Sequence, residues 1–163
     1  MSTRRTSPPT TRGEATRLVT ARKHNLRQLL LHASRILNAE IVEALIGRGY
    51  DLKSTHTALL SNLDEQGDTL SRVADRAGMS KQAMGRLADE LEALHYVVSV
   101  SDAHDRRARV LKFTPKGWKL MLASFDALAD IEHRYARRIG RARLDGLCTT
   151  LEDLLETADG EPR

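Results

Sequence analysis

Residues 69–97 read TLSRVADRAGMSKQAMGRLADELEALHYV, and this stretch decides the fold. Thr69 or Ser71 can cap a short helix whose buried face is Leu70, Val73, Ala74 and Ala77. Gly78 follows where the backbone needs a left-handed residue to stop and turn. Met79 plugs the turn, and Ser80 caps a second helix, Lys81 to Leu94, with Met84, Leu87, Leu91 and Leu94 inward. Two helices joined by a short turn containing glycine form a helix-turn-helix, whose second helix offers its N-terminal residues to base edges in the major groove. The residues left outward there are Ser80, Lys81, Gln82, Gly85, Arg86 and Asp89. Gln82 can pair with both hydrogen-bonding edges of an adenine, and Lys81 or Arg86 can donate to guanine or phosphate. A solvated face is the ordinary reading of such a polar set; the turn before it favours DNA contact. Gly85 costs about 1 kcal/mol against alanine inside a helix. Either the helix backbone approaches DNA closely at that point, or the glycine is simply tolerated.

Behind this unit, Tyr96 to Val100 and Val110 to Phe113 are β-branched strand runs. Between them the polar stretch SDAHDRRARV carries His104, Arg106, Arg107 and Arg109 with Asp102 and Asp105. A hairpin with arginines at its tip, directly after a recognition helix, is a wing, and arginine there can enter a narrow minor groove. Asp102 and Asp105 would repel phosphate if they pointed outward, so at least one is expected to pair with a neighbouring arginine and orient it. The second strand ends at Thr114, which caps the next helix, with Pro115 at its first position.

Working outward, Lys23 to Ile46 has helical spacing through Leu26, Leu29, Leu30, Ala33, Leu37, Ile41 and Leu45, and Gly47 and Gly49 end it. Ser54 is placed to cap a short helix through Leu63, with Ala58, Leu59 and Leu63 inward, and Asp64 to Asp68 reads as a turn. Pro115 to Ile139 is a long helix that Gly140 breaks. A last helix, Leu144 to Ala158, presents Leu147, Leu151, Leu154 and Leu155. The broad apolar stripes on the first and last helices exceed what one small domain can cover, which points to a second subunit. The organisation expected is therefore mostly α-helical with a small β-wing. Residues 1–21 form a disordered basic arm, 22–50 and 115–158 a helical dimerisation region, and 53–114 a winged helix-turn-helix.

Composition narrows the function. The 163 residues give one domain and a usable core. A net charge of +4 permits a polyanionic partner, while 4% aromatic residues leave no stacking surface for single-stranded nucleic acid. No stretch approaches the ~20 apolar residues of a membrane span, and the start does not read as a secretory signal. A single cysteine, Cys148, excludes an internal disulfide and fits a reducing cytoplasm. No catalytic constellation stands out: there is no Gly-rich phosphate loop, no HExxH and no Cys-x-x-Cys. The histidines have no ligand spacing, so neither a metal nor a cofactor is expected.

The order helix, helix-turn-helix, LADELEALHYV, then DAHDRRARVLKFTPKG resembles the MarR family of bacterial regulators. The resemblance implies a homodimer with interlocked first and last helices, a pseudo-palindromic operator in double-stranded DNA, and a repressor whose grip responds to a small ligand, often an aromatic or phenolic anion. It also implies an effector pocket between the dimer helices and the DNA-binding lobe, for which His32, Arg35, Tyr50 and His56 are the candidates. His104 stands where many members have an arginine at the wing tip, which passes the minor-groove role to Arg106 or Arg107. Two other readings remain: a winged-helix protein-interaction module without DNA binding, and, last, a small enzyme.

Overall fold

The computed structural model describes residues 25–101 and 109–159, together with Thr11, Gly13 and Thr16. The chain divides into two compact units at Ala39/Glu40. Helix α1 (Leu26–Gly47) begins in the first and ends in the second. Its start is fixed by Asn25, whose side-chain oxygen accepts the Gln28 N–H at 3.0 Å. Within the first unit, Leu26, Leu29, Leu30, Leu31 and Ile36 are all exposed, Leu26 at 56%. Leu26, Leu30 and Leu31 line a shallow hollow with Arg27 and Ser34.

The second unit holds the remaining elements. A 3-10 turn (Ser54–His56) runs into α2 (Thr57–Leu60), followed by β1 (Asp68–Thr69), α3 (Leu70–Arg76) and α4 (Lys81–Ala93). A hairpin of β2 (Val97–Ser101) and β3 (Arg109–Phe113) leads to α5 (Pro115–Ile139) and α6 (Arg141–Asp159). The sheet is antiparallel with order β1-β3-β2; Val97 faces Phe113, Ser101 faces Arg109, and Asp68 faces Leu111. Its core is built from Leu59, Val73, Met84, Leu91, Leu111 and Leu120, each fully buried. These residues join α2, both helices of the helix-turn-helix, the wing root and the start of α5 into one packed body.

The caps follow the expected chemistry. Thr69, rather than Ser71, accepts the Arg72 N–H. Ser80 accepts the Ala83 N–H at 3.2 Å, and Thr114 accepts the Gly117 N–H at 3.0 Å with Pro115 in the first turn. Two expectations need correction. Ser54 is not a side-chain cap. The segment opens as a 3-10 turn in which the Lys53 N–H donates to His56 Nδ1, while the Ser54 carbonyl accepts the Thr57 hydroxyl. The helix after it ends at Leu60, although Leu63 is still buried. Asp68, read as part of a turn, is a short third strand. Its buried carboxylate accepts the Thr69 N–H and pairs with Arg76 at 2.7 Å and Arg72 at 3.4 Å. Those bonds stabilise a residue type that strands otherwise disfavour.

Helices α3 and α4 end in the same way. After α3, Gly78 has φ +62°, the Gly78 N–H bonds the Asp75 carbonyl and the Met79 N–H bonds the Ala74 carbonyl. After α4, the His95 N–H bonds the Glu92 carbonyl and the Tyr96 N–H bonds that of Leu91, with His95 at φ +60°. Glycine is the usual residue at this left-handed position, and a side chain there costs ~1–2 kcal/mol, partly offset by the greater freedom of glycine in the unfolded chain. Since His95 is exposed, His95→Gly is expected to raise stability by about 0.5–1 kcal/mol in urea denaturation. A loss of stability would mean that the histidine ring contributes a contact outweighing the backbone strain.

Helix α5 buries Gly117, Leu120, Ala127 and Ile131, while Leu122 and Phe125 stand exposed at 64% and 61%. Arg48, after α1, donates to the Ala123 carbonyl at 2.8 Å and pairs with Asp130. Glu40 accepts from Tyr135 and Arg134, so the end of α1 is tied along α5. Beyond Gly140 (φ +93°), α6 is exposed along its described side chains except for half-buried Leu144 and Leu151. No helix among the described residues is long and apolar enough to cross a membrane.

Candidate nucleic-acid interface

The inner side of α4 is apolar: Met84, Leu87, Ala88 and Leu91 are buried. At its start and along its outer side, Ser80, Lys81, Gln82 and Arg86 are exposed. Neither Lys81 nor Arg86 forms an ion pair among the described residues. The first two turns of α4 therefore offer a fork, an ammonium and an amide to the outside, with no ion pair among the described residues competing for the two cations. Gly85 lies on the flank of this surface. A Cβ there would meet only Leu70 Cδ2, at 3.8 Å, which is ordinary contact. The fold itself therefore accepts alanine at Gly85.

The second half of α4 is held from two sides. On one, Glu90 Oε2 takes Lys53 Nζ at 2.6 Å and His56 Nε2 at 3.1 Å. The side-chain hydrogen bonds from Lys53 and His56 hold the Glu90 carboxyl below its ordinary value, and Glu90 in turn raises Lys53. His56 is 1% exposed, and both ring nitrogens are used: Nδ1 accepts the Lys53 N–H and Nε2 donates to Glu90. That acceptor role assigns the neutral tautomer with its proton on Nε2. His56 was a candidate for the effector pocket; it belongs instead to the packing that carries α4, because no ring nitrogen is left for a ligand.

On the other side, Arg109 at the start of β3 places Nη2 2.6 Å from Glu92 and 2.8 Å from Asp89, and its Nε donates to Ser99 Oγ. Burial lowers the guanidinium pKa, but the carboxylates of Asp89 and Glu92 outweigh it and leave the group above its ordinary value. Arg109, expected among the DNA-contacting arginines of the wing, is thus placed against α4. Sequence reasoning missed Glu90, Glu92 and Lys53 as parts of the site. The available signal was Asp89 and Glu92 at i, i+3, one face of a helix that a cation from the wing could bridge.

Asp102, His104, Asp105, Arg106 and Arg107 lie outside the described residues. Tyr50 is half-buried; its hydroxyl donates to the Lys119 carbonyl at 3.3 Å, and its ring lies 6.5 Å from that of Tyr96. His32 and Arg35 are exposed on α1 in the first unit. Cys148 is exposed on α6.

A helix-turn-helix followed by an antiparallel hairpin, with a third short strand before it, defines a winged-helix domain. Residues 50–108 match the model of the MarR family. Solved structures of such regulators share the fold. MarR from E. coli in its apo form superposes with a TM-score of 0.69 at 15% identity, covering 81% of this chain and 98% of that one. CouR from Rhodococcus jostii RHA1 bound to p-coumaroyl-CoA gives 0.65 at 21% identity, covering 86% and 96%. The transcriptional repressor CouR bound to a 23-mer DNA duplex gives 0.63 at 20%, covering 91% and 99%. No curated protein matches the sequence.

Proposed function

We propose that this protein is a homodimeric, sequence-specific DNA-binding transcriptional regulator, a repressor acting in the cytoplasm, whose hold on a pseudo-palindromic operator is modulated by a small ligand. The observation that carries the reading is the exposed set at the start of α4: Lys81, Gln82 and Arg86 stand outward, the two cations without an ion pair among the described residues, where a recognition helix meets base edges, while the second half of that helix is fixed to its own domain. The fold shared with a DNA-bound repressor supports it.

Exposed leucines on α1, such as Leu26 and Leu29, and on α6, such as Leu147 and Leu155, support pairing with a second copy. Two copies carry two recognition helices, which suits half-sites one helical turn apart. The effector is an aromatic or phenolic anion, in line with the p-coumaroyl thioester held by CouR. His32, Arg35 and Tyr50 remain its candidate contacts. Nothing in this mechanism turns over a substrate, so the protein is not an enzyme.

The test is selection of bound fragments from random duplex DNA, followed by salt-dependent anisotropy on the winner. Enrichment of a two-half-site sequence bound about 10³-fold above random DNA is expected. Gln82→Ala should then relax specificity at one base position in each half-site by roughly 1–3 kcal/mol. If no sequence is enriched and binding stays weak at every salt concentration, the winged helix is a docking surface for protein and the regulator reading is wrong.

A further inference from the structure

We infer that Arg109 is a positioning residue, which locks the wing to the recognition helix and does not itself bind phosphate. The inference rests on the DNA-binding reading and assigns a role within it. Arg109 faces Ser101 in the register of the hairpin, so it is the first residue of the strand returning from the 102–108 tip.

Its guanidinium meets three groups from two elements. Asp89 and Glu92 lie one turn apart on α4, and Ser99 lies across the sheet on β2. One positive charge against two negative ones leaves no surplus for a phosphate, and the side chain is only 31% exposed. Asp89, by contrast, is 68% exposed and falls two turns after Gln82, on the same outer face of the helix. The fork shape matters as well as the charge, because a lysine ammonium cannot span two carboxylates and a hydroxyl in a fixed plane.

The experiment uses the full-length protein with the selected duplex and a random duplex of the same length. Arg109→Gln and Arg109→Lys are both expected to weaken the selected duplex about tenfold and the random one less than about twofold, with the salt slope unchanged. Lys81→Gln provides the contrast at an exposed residue able to donate to phosphate, where loss of such a contact lowers that slope by about 0.9. Glu92→Gln should weaken specific binding in the same direction and add nothing further to Arg109→Gln, as members of one network do. Thermal melts establish that each variant is folded at the assay temperature; should Arg109→Gln melt below it, Glu92→Gln and Arg109→Lys carry the test. A slope that falls by about one, with equal loss on both duplexes, would make Arg109 a phosphate contact and overturn the inference. Full activity of Arg109→Lys would overturn it too, because the charge alone would then suffice. Failure of the wild-type protein to enrich any duplex is a separate outcome that removes the regulator reading, and this role with it.

Discussion

Replacing Gly117 by alanine is expected to destabilise the fold by about 3 kcal/mol or more, far beyond an ordinary glycine-to-alanine change inside a helix. Such a change would otherwise be favourable by about 1 kcal/mol from helix propensity alone. Here a Cβ would lie 2.0 Å from the Tyr96 carbonyl oxygen and 3.2 Å from Phe113 Cδ1. Backbone cannot yield as a flexible side chain can. The contact is tight because the strand and helix are stitched at this point. The Thr114 N–H donates to the Tyr96 carbonyl at 3.1 Å, the Thr114 hydroxyl donates to the His95 carbonyl at 2.6 Å, and Lys116 Nζ donates to the Leu94 carbonyl at 2.9 Å. Lys116 Nζ also lies 4.6 Å from the centre of the Tyr96 ring. To admit a methyl group, α5 would have to lift from the end of α4, breaking several of these bonds at once. Urea denaturation of Gly117→Ala beside wild type measures the effect. A variant as stable as wild type would mean that α5 shifts at little cost and that this junction is soft.

This junction also shows where the sequence is legible. Thr114, Pro115 and Gly117 announce a helix start through local chemistry, and the hydroxyl cap forms where expected. The same holds for Gly78 and Ser80, since turns and caps depend on a few consecutive residues. What Gly117 does for packing was not legible, because its constraint comes from Tyr96, which reaches it only after the hairpin folds back. The β1 strand escaped for a related reason: two residues cannot display an alternating pattern, and Asp68 becomes strand-like only through Arg72 and Arg76 on the following helix. Among the candidate site residues, the exposed set on α4 follows from helical periodicity and was read directly. The destinations of His56 and Arg109 depend on Glu90, Asp89 and Glu92, and a pairing between elements leaves no trace in either one alone. An arginine in a wing and a histidine near a cleft look alike in sequence whether they face a ligand or a carboxylate of their own chain.

Leu91→Ala is expected to cost about 3–4 kcal/mol, within the range of buried leucine truncations that leave a cavity. Leu91 has no exposed surface, and it sits on the inner face of α4 with Met84, Leu87 and Ala88. Its carbonyl accepts the Tyr96 N–H that closes the helix end, so the backbone around it is pinned and cannot collapse readily into the void. A domain stabilised by ~5–15 kcal/mol would lose a large part of that margin. Leu91→Met, which keeps the volume, should cost less than about 1.5 kcal/mol. Chemical denaturation should be followed at one fixed protein concentration, because pairing with a second copy would make apparent stability concentration-dependent. The outer face of α4 is untouched by the substitution, so contacts of Lys81, Gln82 and Arg86 change only if the helix moves. Two clamps oppose such movement, Lys53 and His56 on Glu90 and Arg109 on Asp89 and Glu92. Leu91→Ala should therefore lower stability much more than it lowers the DNA affinity of the folded molecules. A fall in affinity as large as the fall in stability would show that core packing beneath α4, rather than the paired side chains along its flanks, sets the angle at which the recognition helix is presented.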